Sequence, residues 1–307
     1  MKILLVASTD NWALNRLAHN IRKYINHDIS IAYCSQGTPK FNESMINDYD
    51  LVHFMNWLDG KECGNRVSVG ICSHNFELKW MDEVLKRLHK AKKIGASSRI
   101  LYDRAKKYNP RVYYTPFGVD IDCFTEQDCT KEFTVGWVGW PTTGGFGEKK
   151  SNEGRKVWDI KGYELILKPL MERLKDVVVF KILDNTVNDS IKHSEMNDWY
   201  SDINMLICTS LYEGGPLPVF EAAACGKHVL STKVGRSAEL LESNSLIVVP
   251  HSRGDIPRVI DEFEKGILWA KMHPGEIKGV GHRLRLEIEN TWSWEKIARY
   301  WESFFIA

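Results

Sequence analysis

Short apolar runs alternate with amphipathic stretches from the first residues of the chain onward. Lys2–Ala7 is a compact apolar run, and behind it Leu14, Leu17, Ala18, Ile21, Tyr24 and Ile25 recur at helical spacing on one face. Further runs, read as strands, follow at Ile29–Tyr33, Leu51–Phe54, Val67–Cys72, Lys93–Ala96 and Val112–Thr115. Ser98 stands where an N-cap would open a helix running to about Lys107. Periodicity lapses over Asp120–Glu132, which reads as a linker. A second series then begins, with strands at Thr134–Val138, Val177–Leu183, Met205–Thr209, His228–Ser231 and Leu246–Val249. Helices are predicted between them at Gly162–Leu174, Leu217–Ala224 and about Ile256–Lys271. Strands that alternate with helices predict an α/β fold, here two doubly wound, Rossmann-like domains, residues 1–118 and 119–291, with a ligand cleft between them. One stretch breaks the rhythm: Pro141–Asp159 is long, glycine-rich and polar, and reads as a flap over the site or as disorder.

Composition adds boundaries to this picture. With 43% apolar and 26% charged residues over 307 positions, the chain is suited to burying two ordinary cores. No apolar run approaches the roughly 18 residues of a membrane span, and MKILLVASTD turns polar too soon for a signal peptide. Seven cysteines with no Cys-x-x-Cys pair fit a reducing, cytoplasmic setting without zinc or disulfides. The net charge of +1 is unevenly spread: residues 1–118 hold 18 Lys+Arg against 11 Asp+Glu, and the remainder holds 23 against 29. Lys79–Arg111 alone holds 11 basic and 3 acidic residues. Such a stretch is either a solvated helical face or a surface for peripheral contact with an anionic membrane or an acidic acceptor.

The most specific chemistry lies in EGGPLPVFE, Glu213–Glu221, followed by AAACGKHVLST. A carboxylate, two glycines and a proline stand at the mouth of a short helix, and a second carboxylate follows about one turn in. Helix N-termini present unpaired N–H groups and partial positive charge, which suit a diphosphate. Carboxylates repel phosphate and instead accept hydrogen bonds from sugar hydroxyls beside it. The ligand implied is a nucleotide sugar.

Asn197–Leu241, from NDWYSDINMLICTS through the glutamate stretch to VGRSAELL, resembles the nucleotide-sugar domain of retaining glycosyltransferases of family four, including their Glu-x7-Glu pattern at Glu213 and Glu221. The resemblance implies the GT-B architecture of two Rossmann-like domains, with the C-terminal helix of residues 292–307 packing back on the first. It implies that Glu213 binds hydroxyls of the donor sugar, that Glu221 holds the ribose, and that the backbone around Gly214, Gly215, Pro216 and Leu217 cradles the diphosphate. Lys161-Gly162 resembles the family's Lys-Gly, whose lysine meets the donor phosphates, and Gly139 at the end of the VGWVGW strand joins the donor-binding set. The arginine that relatives carry just after that strand is missing here, and Arg155 is the candidate to replace its charge. His74, in VSVGICSHNFEL, occupies the place of a histidine near the donor sugar, with a purely structural histidine as the alternative. The first loop, Ser8–Asn11, lacks the relatives' paired glycines, and its donor contact rests on position.

Asp120 and Asp122 form an Asp-x-Asp string that reads as the turn between domains, since this architecture neutralises phosphate without a metal; no metal or other cofactor is expected. Trp12, Trp57, Trp137 and Trp140 lie near strand ends, where indole either stacks on a sugar or packs the core. Together these features imply transfer of a sugar, with retention, from a nucleoside-diphosphate sugar to a glycan, lipid-linked or small-molecule acceptor, and no nucleic-acid partner. A nucleotide-sugar epimerase of similar fold and a non-catalytic nucleotide-sugar-binding protein are the alternatives.

Overall fold

The computed structural model describes residues 1–10, 13–60, 63–71, 85–86, 88–126, 128, 130, 132–140, 159–184, 191–243, 248–249 and 255–307. His74, Arg155, Trp12 and residues 141–158 of the long polar loop lie outside them. The chain divides into two compact units, Met1–Gly118 with Thr291–Ala307, and Val119–Asn290.

The first unit holds a parallel sheet of six strands in the order β2-β1-β3-β4-β5-β6. These are β1 (Lys2–Ala7), β2 (Asp28–Tyr33), β3 (Leu51–Phe54), β4 (Ser68–Ile71), β5 (Ile94–Ala96) and β6 (Val112–Tyr114). Their side chains are buried almost throughout, which explains why they read as continuous apolar runs without alternation. Helix α1 (Ala13–Tyr24) turns Leu17, Ala18 and Ile21 into the core, a short turn of helix α2 (Trp57–Gly60) follows β3, and α3 (Arg99–Lys106) starts at Ser98, whose hydroxyl accepts the Leu101 amide at 3.3 Å.

In the second unit a five-stranded parallel sheet runs β11-β10-β9-β7-β8. Its strands are β7 (Thr134–Gly139), β8 (Val179–Asp184), β9 (Met205–Cys208), β10 (His228–Thr232) and β11 (Val248–Val249). A π-helical turn, Tyr163–Leu167, leads into α4 (Lys168–Leu174). Then come α5 (Met196–Ser201), α6 (Leu217–Ala224), α7 (Ser237–Ser243), α8 (Ile256–Met272) and α9 (Pro274–Glu287). Helix α9 is not among the helices predicted from the sequence, and its three glycines are weak helix formers. Gly281 has a packing reason: a Cβ there would lie 1.8 Å from the Gly226 carbonyl oxygen, so only glycine lets α9 press on the turn between α6 and β10.

The chain re-enters the first unit with α10 (Trp294–Ile306), which buries Trp294, Ile297, Trp301, Phe304 and Phe305. Its end is held from below: Lys93, buried in the sheet, donates from Nζ to the carbonyls of Phe304 at 2.9 Å and Phe305 at 3.0 Å. A cation at a helix C-terminus meets unpaired carbonyls and the negative pole of the helix. Beside it His53 packs edge-on against Trp301 and Phe304 and shares a 3.0 Å hydrogen bond with Ser68 Oγ. Among the described residues no helix is long and apolar enough to cross a membrane.

Two histidines are locked neutral inside the fold. Burial, with the Lys93 charge behind it, pulls His53 from 6.5 down to about 3, and burial pulls His228 down to about 4. Both folded values lie below the unfolded one, so the unfolded chain binds more protons as pH falls below about 6.5, and stability is lost in that direction. Urea unfolding at pH 5.0 should show a loss of about 2 kcal/mol per histidine relative to pH 7.5; equal midpoints would refute the assignment. Gly281→Ala should cost about 1–3 kcal/mol in the same assay at pH 7.5, and a wild-type midpoint would mean that α9 seats itself without the close approach.

Candidate functional site

In the second unit strand addition reverses direction between β7 and β9, and ligands of open α/β sheets collect at the carboxyl ends of such a pair. Here the residues past the strand ends are tied into one network. Trp137, fully buried in β7, donates from Nε1 to Thr209 Oγ1 at 3.0 Å, and Thr209 Oγ1 donates to the Lys161 carbonyl at 2.8 Å. The Leu211 amide donates to the Ile160 carbonyl at 2.7 Å. Gly162 completes the join. Its φ of 68° is left-handed, and a Cβ would fall 2.1 Å from the Thr209 carbonyl oxygen.

This join sets Lys161 against the glutamate loop. Its Nζ makes a short ion-paired hydrogen bond with Glu213 Oε1, the oxygen that also accepts the Ser210 hydroxyl at 2.9 Å. Burial pulls the lysine pKa down, but the Glu213 charge and hydrogen bond push harder, and the net shift is upward from 10.5. Lys161 is therefore a fixed cation at neutral pH, with 30% of its side chain exposed and Glu213 nearly enclosed.

Asp159 caps the helical turn that follows Lys161. Its carboxylate accepts the amides of Tyr163 at 2.8 Å and Leu165 at 2.7 Å, so the π-helical turn after Lys161 already has its negative partner. Helix α6 starts from Pro216 with no side-chain cap. At that start Pro218 has no N–H and the Val219 amide donates to the Pro216 carbonyl at 3.1 Å, so the candidate backbone donors to a ligand are the amides of Gly214, Gly215 and Leu217. Behind that turn the Arg236 guanidinium lies 4.2 Å above the Phe220 ring, buried.

Glu221 lies about one turn into α6, 7% exposed. Tyr200 donates its hydroxyl to Glu221 Oε2 at 2.9 Å, and His193 Nε2 stands 3.6 Å from Oε1. The His193 ring itself rests edge-on against Phe124. The carboxylate is held in a defined orientation rather than free to swing.

Of the residues expected in the site, Lys161, Glu213, Gly214, Gly215, Pro216, Leu217, Glu221 and Gly139 all belong to the second unit, and Gly139 closes β7. His74 and Arg155 lie outside the described residues. Trp57 and Trp137 are core side chains, whereas Trp140 is 41% exposed. Asp120 accepts the Asp122 amide at 3.2 Å, as in a turn. Among the described residues no group of three His, Cys, Asp or Glu side chains is placed to hold a metal ion. Residue spacing did not reveal Trp137, Thr209, Ser210, Asp159 or Tyr200 as parts of the network; a buried tryptophan whose N–H needs a partner was the one available signal.

Comparison with known proteins fits this geometry. Residues 186–271, which include both glutamates but begin after Lys161, match the family model for glycosyl transferases group 1. No curated protein sequence matches the chain significantly. Among solved structures, Anabaena Alr3699/HepE in complex with UDP-glucose is similar over 100% of both chains at 12% identity, with a TM-score of 0.72. Sucrose-phosphate synthase from Thermosynechococcus elongatus matches over 100% of this chain and 98% of its own, at 14% identity and a TM-score of 0.69. A glycosyltransferase from Rickettsia africae matches over 99% and 97%, at 13% identity and a TM-score of 0.64. At these identities the likeness is one of fold. The chain therefore has two parallel-sheet, Rossmann-like domains in the GT-B fold of these solved structures, and its second unit contains a segment similar to glycosyl transferases group 1.

Proposed function

We propose that this chain is a retaining glycosyltransferase that moves a sugar from a nucleoside-diphosphate donor to an acceptor hydroxyl, without a metal. The observation that carries the reading is the fixed Lys161–Glu213 pair beside the uncapped start of α6, with Glu221 oriented one turn further on. The diphosphate takes the amides around Gly214, Gly215 and Leu217 and the Lys161 ammonium, Glu221 takes the ribose hydroxyls, and Glu213 exchanges its lysine partner for hydroxyls of the donor sugar. UDP-glucose is the first donor to try, because HepE, a protein of this fold, was solved with UDP and with UDP-glucose.

In the reaction the bond between the anomeric carbon and the diphosphate oxygen breaks, and the acceptor oxygen bonds to the same face of that carbon. The acceptor proton passes to the departing phosphate. Negative charge grows on that phosphate as the bond stretches, so Lys161 and the amides around Gly214, Gly215 and Leu217 stabilise the transition state more than the ground state. In this reading the ammonium charge of Lys161 and the partial positive charge of the helix start take the place of a divalent cation.

Incubation with UDP-glucose and other nucleotide sugars, read by mass spectrometry and proton NMR, should give free nucleoside diphosphate and a product with the donor's anomeric configuration, undiminished in EDTA. A rearranged sugar, an inverted product or loss of turnover in chelator would sink the reading. Glu221→Ala should weaken UDP binding by about 10–100-fold in calorimetry, the worth of a charge-assisted hydrogen bond or two. Lys161→Ala should instead lower kcat by about 10²–10³, with a smaller change in KM. Unchanged UDP affinity in the first variant, or unchanged kcat in the second, would remove that residue from the site.

A further inference from the structure

Glu221 is held by more than its own helix. Tyr200 has one hydroxyl proton and two acceptors in reach, Glu221 Oε2 at 2.9 Å and the Pro218 carbonyl at 3.4 Å. The nearer acceptor is also the charged one, and it takes the proton. His193 Nε2 faces the other carboxylate oxygen at 3.6 Å. The two side chains bracket the carboxylate from both oxygens, inside a site that leaves Glu221 7% exposed.

Both brackets rest on one ring. Phe124, buried, stands edge-on to His193 with ring centroids 5.2 Å apart and to Tyr200 at 6.0 Å. It belongs to the segment by which the chain enters the second unit, and that segment is fastened next to the ring. Asn197 Oδ1 accepts the Thr125 amide at 3.0 Å, so α5 meets the entry segment through Asn197 and Glu221 through Tyr200, three residues on and on the same side of the helix. Arg285 Nη1 donates both to the Phe124 carbonyl and, at 2.8 Å, to the carbonyl of Ala224 in the last turn of α6, the helix that carries Glu221. The ring, the tyrosine and the glutamate are thereby fixed to one frame.

A carboxylate oriented before its ligand arrives gives up no rotamer freedom on binding. That advantage is felt only by a ligand that uses the carboxylate. We propose that Tyr200, backed by Phe124, is a positioning residue for Glu221 and sets how strongly the site prefers a ribonucleotide to one that lacks the ribose hydroxyls. The inference rests on the reading above in which Glu221 takes the ribose, and adds that the entry segment of the second unit contributes to the selectivity of that contact.

The test measures binding of UDP and of 2′,3′-dideoxy-UDP to the full chain by calorimetry. Wild-type protein should bind UDP about 10–100-fold more tightly, as one or two charge-assisted hydrogen bonds imply. Tyr200→Phe keeps the ring and removes the hydroxyl. It should weaken UDP by about 3–10-fold, the cost of immobilising a loosened side chain on binding, and leave the dideoxy nucleotide within about twofold. Phe124→Leu should narrow the gap between the two nucleotides in the same direction, by a smaller factor. A merely structural role would weaken both nucleotides alike; that result, or a gap as wide as that of wild type in either variant, would overturn the positioning role and leave Glu221 on the ribose. Equal binding of the two nucleotides by wild-type protein, or binding of neither, would overturn the ribose assignment and the inference with it.

Discussion

The candidate site depends on one close approach, that of Gly162 to the carbonyl of Thr209, where a Cβ would come within 2.1 Å. With that approach made, Thr209 accepts the Trp137 indole and donates to the Lys161 carbonyl, and the lysine side chain is delivered to Glu213. The ion pair stabilises the fold little, because lysine desolvation offsets much of the Coulomb gain. Its value is placement: a cation and a carboxylate are held together beside a helix start that has no side-chain cap. Asp159 sharpens the arrangement by capping the neighbouring helical turn, whereas α6 starts with no side-chain cap.

How much of this was legible in the sequence depended on the range of the interaction. Strands buried on both faces announce themselves as apolar runs, and β1, β3 and helix α6 appear with the bounds their patterns suggested. Strand ends elsewhere moved by a residue or two, because pairing with a neighbour, not local hydrophobicity, decides where a ladder stops. Helix α9 is not among the helices predicted from the sequence, although its Gly281 is what lets it pack. At the candidate site, residues that a local motif brings together were readable as neighbours: Glu213, Glu221 and the Gly-Gly-Pro turn lie within one strand–turn–helix unit. Thr209, Tyr200 and Asp159 were not, since a hydroxyl or carboxylate that serves a partner in another element looks like any other polar residue until the topology brings the two together.

Charge counting needs the same correction. The basic excess of the first unit reads as surface, yet Lys93 is enclosed and spends its charge on two helix carbonyls. In the second unit Lys227 is fully buried and donates to the Asp128 carbonyl at 2.7 Å, and Arg285 donates to the Ala224 carbonyl at 2.8 Å. These cations hold backbone together where helices and turns leave carbonyls unpaired. Net charge per domain therefore overstates the field that a membrane or a ligand would meet.

Lys93 also carries a consequence for the order of assembly. The chain leaves the first unit at Gly118 and returns to it only at Thr291, so the lysine and the helix it grips are separated by the whole second unit. During synthesis from the N-terminus, the sheet that receives Trp301, Phe304 and Phe305 is finished long before those side chains emerge from the ribosome. Until then its seat for α10 is an open apolar surface with a buried-type lysine in contact with water. The first unit is the earliest to begin folding and the last to close, and the second must fold as an insertion within it.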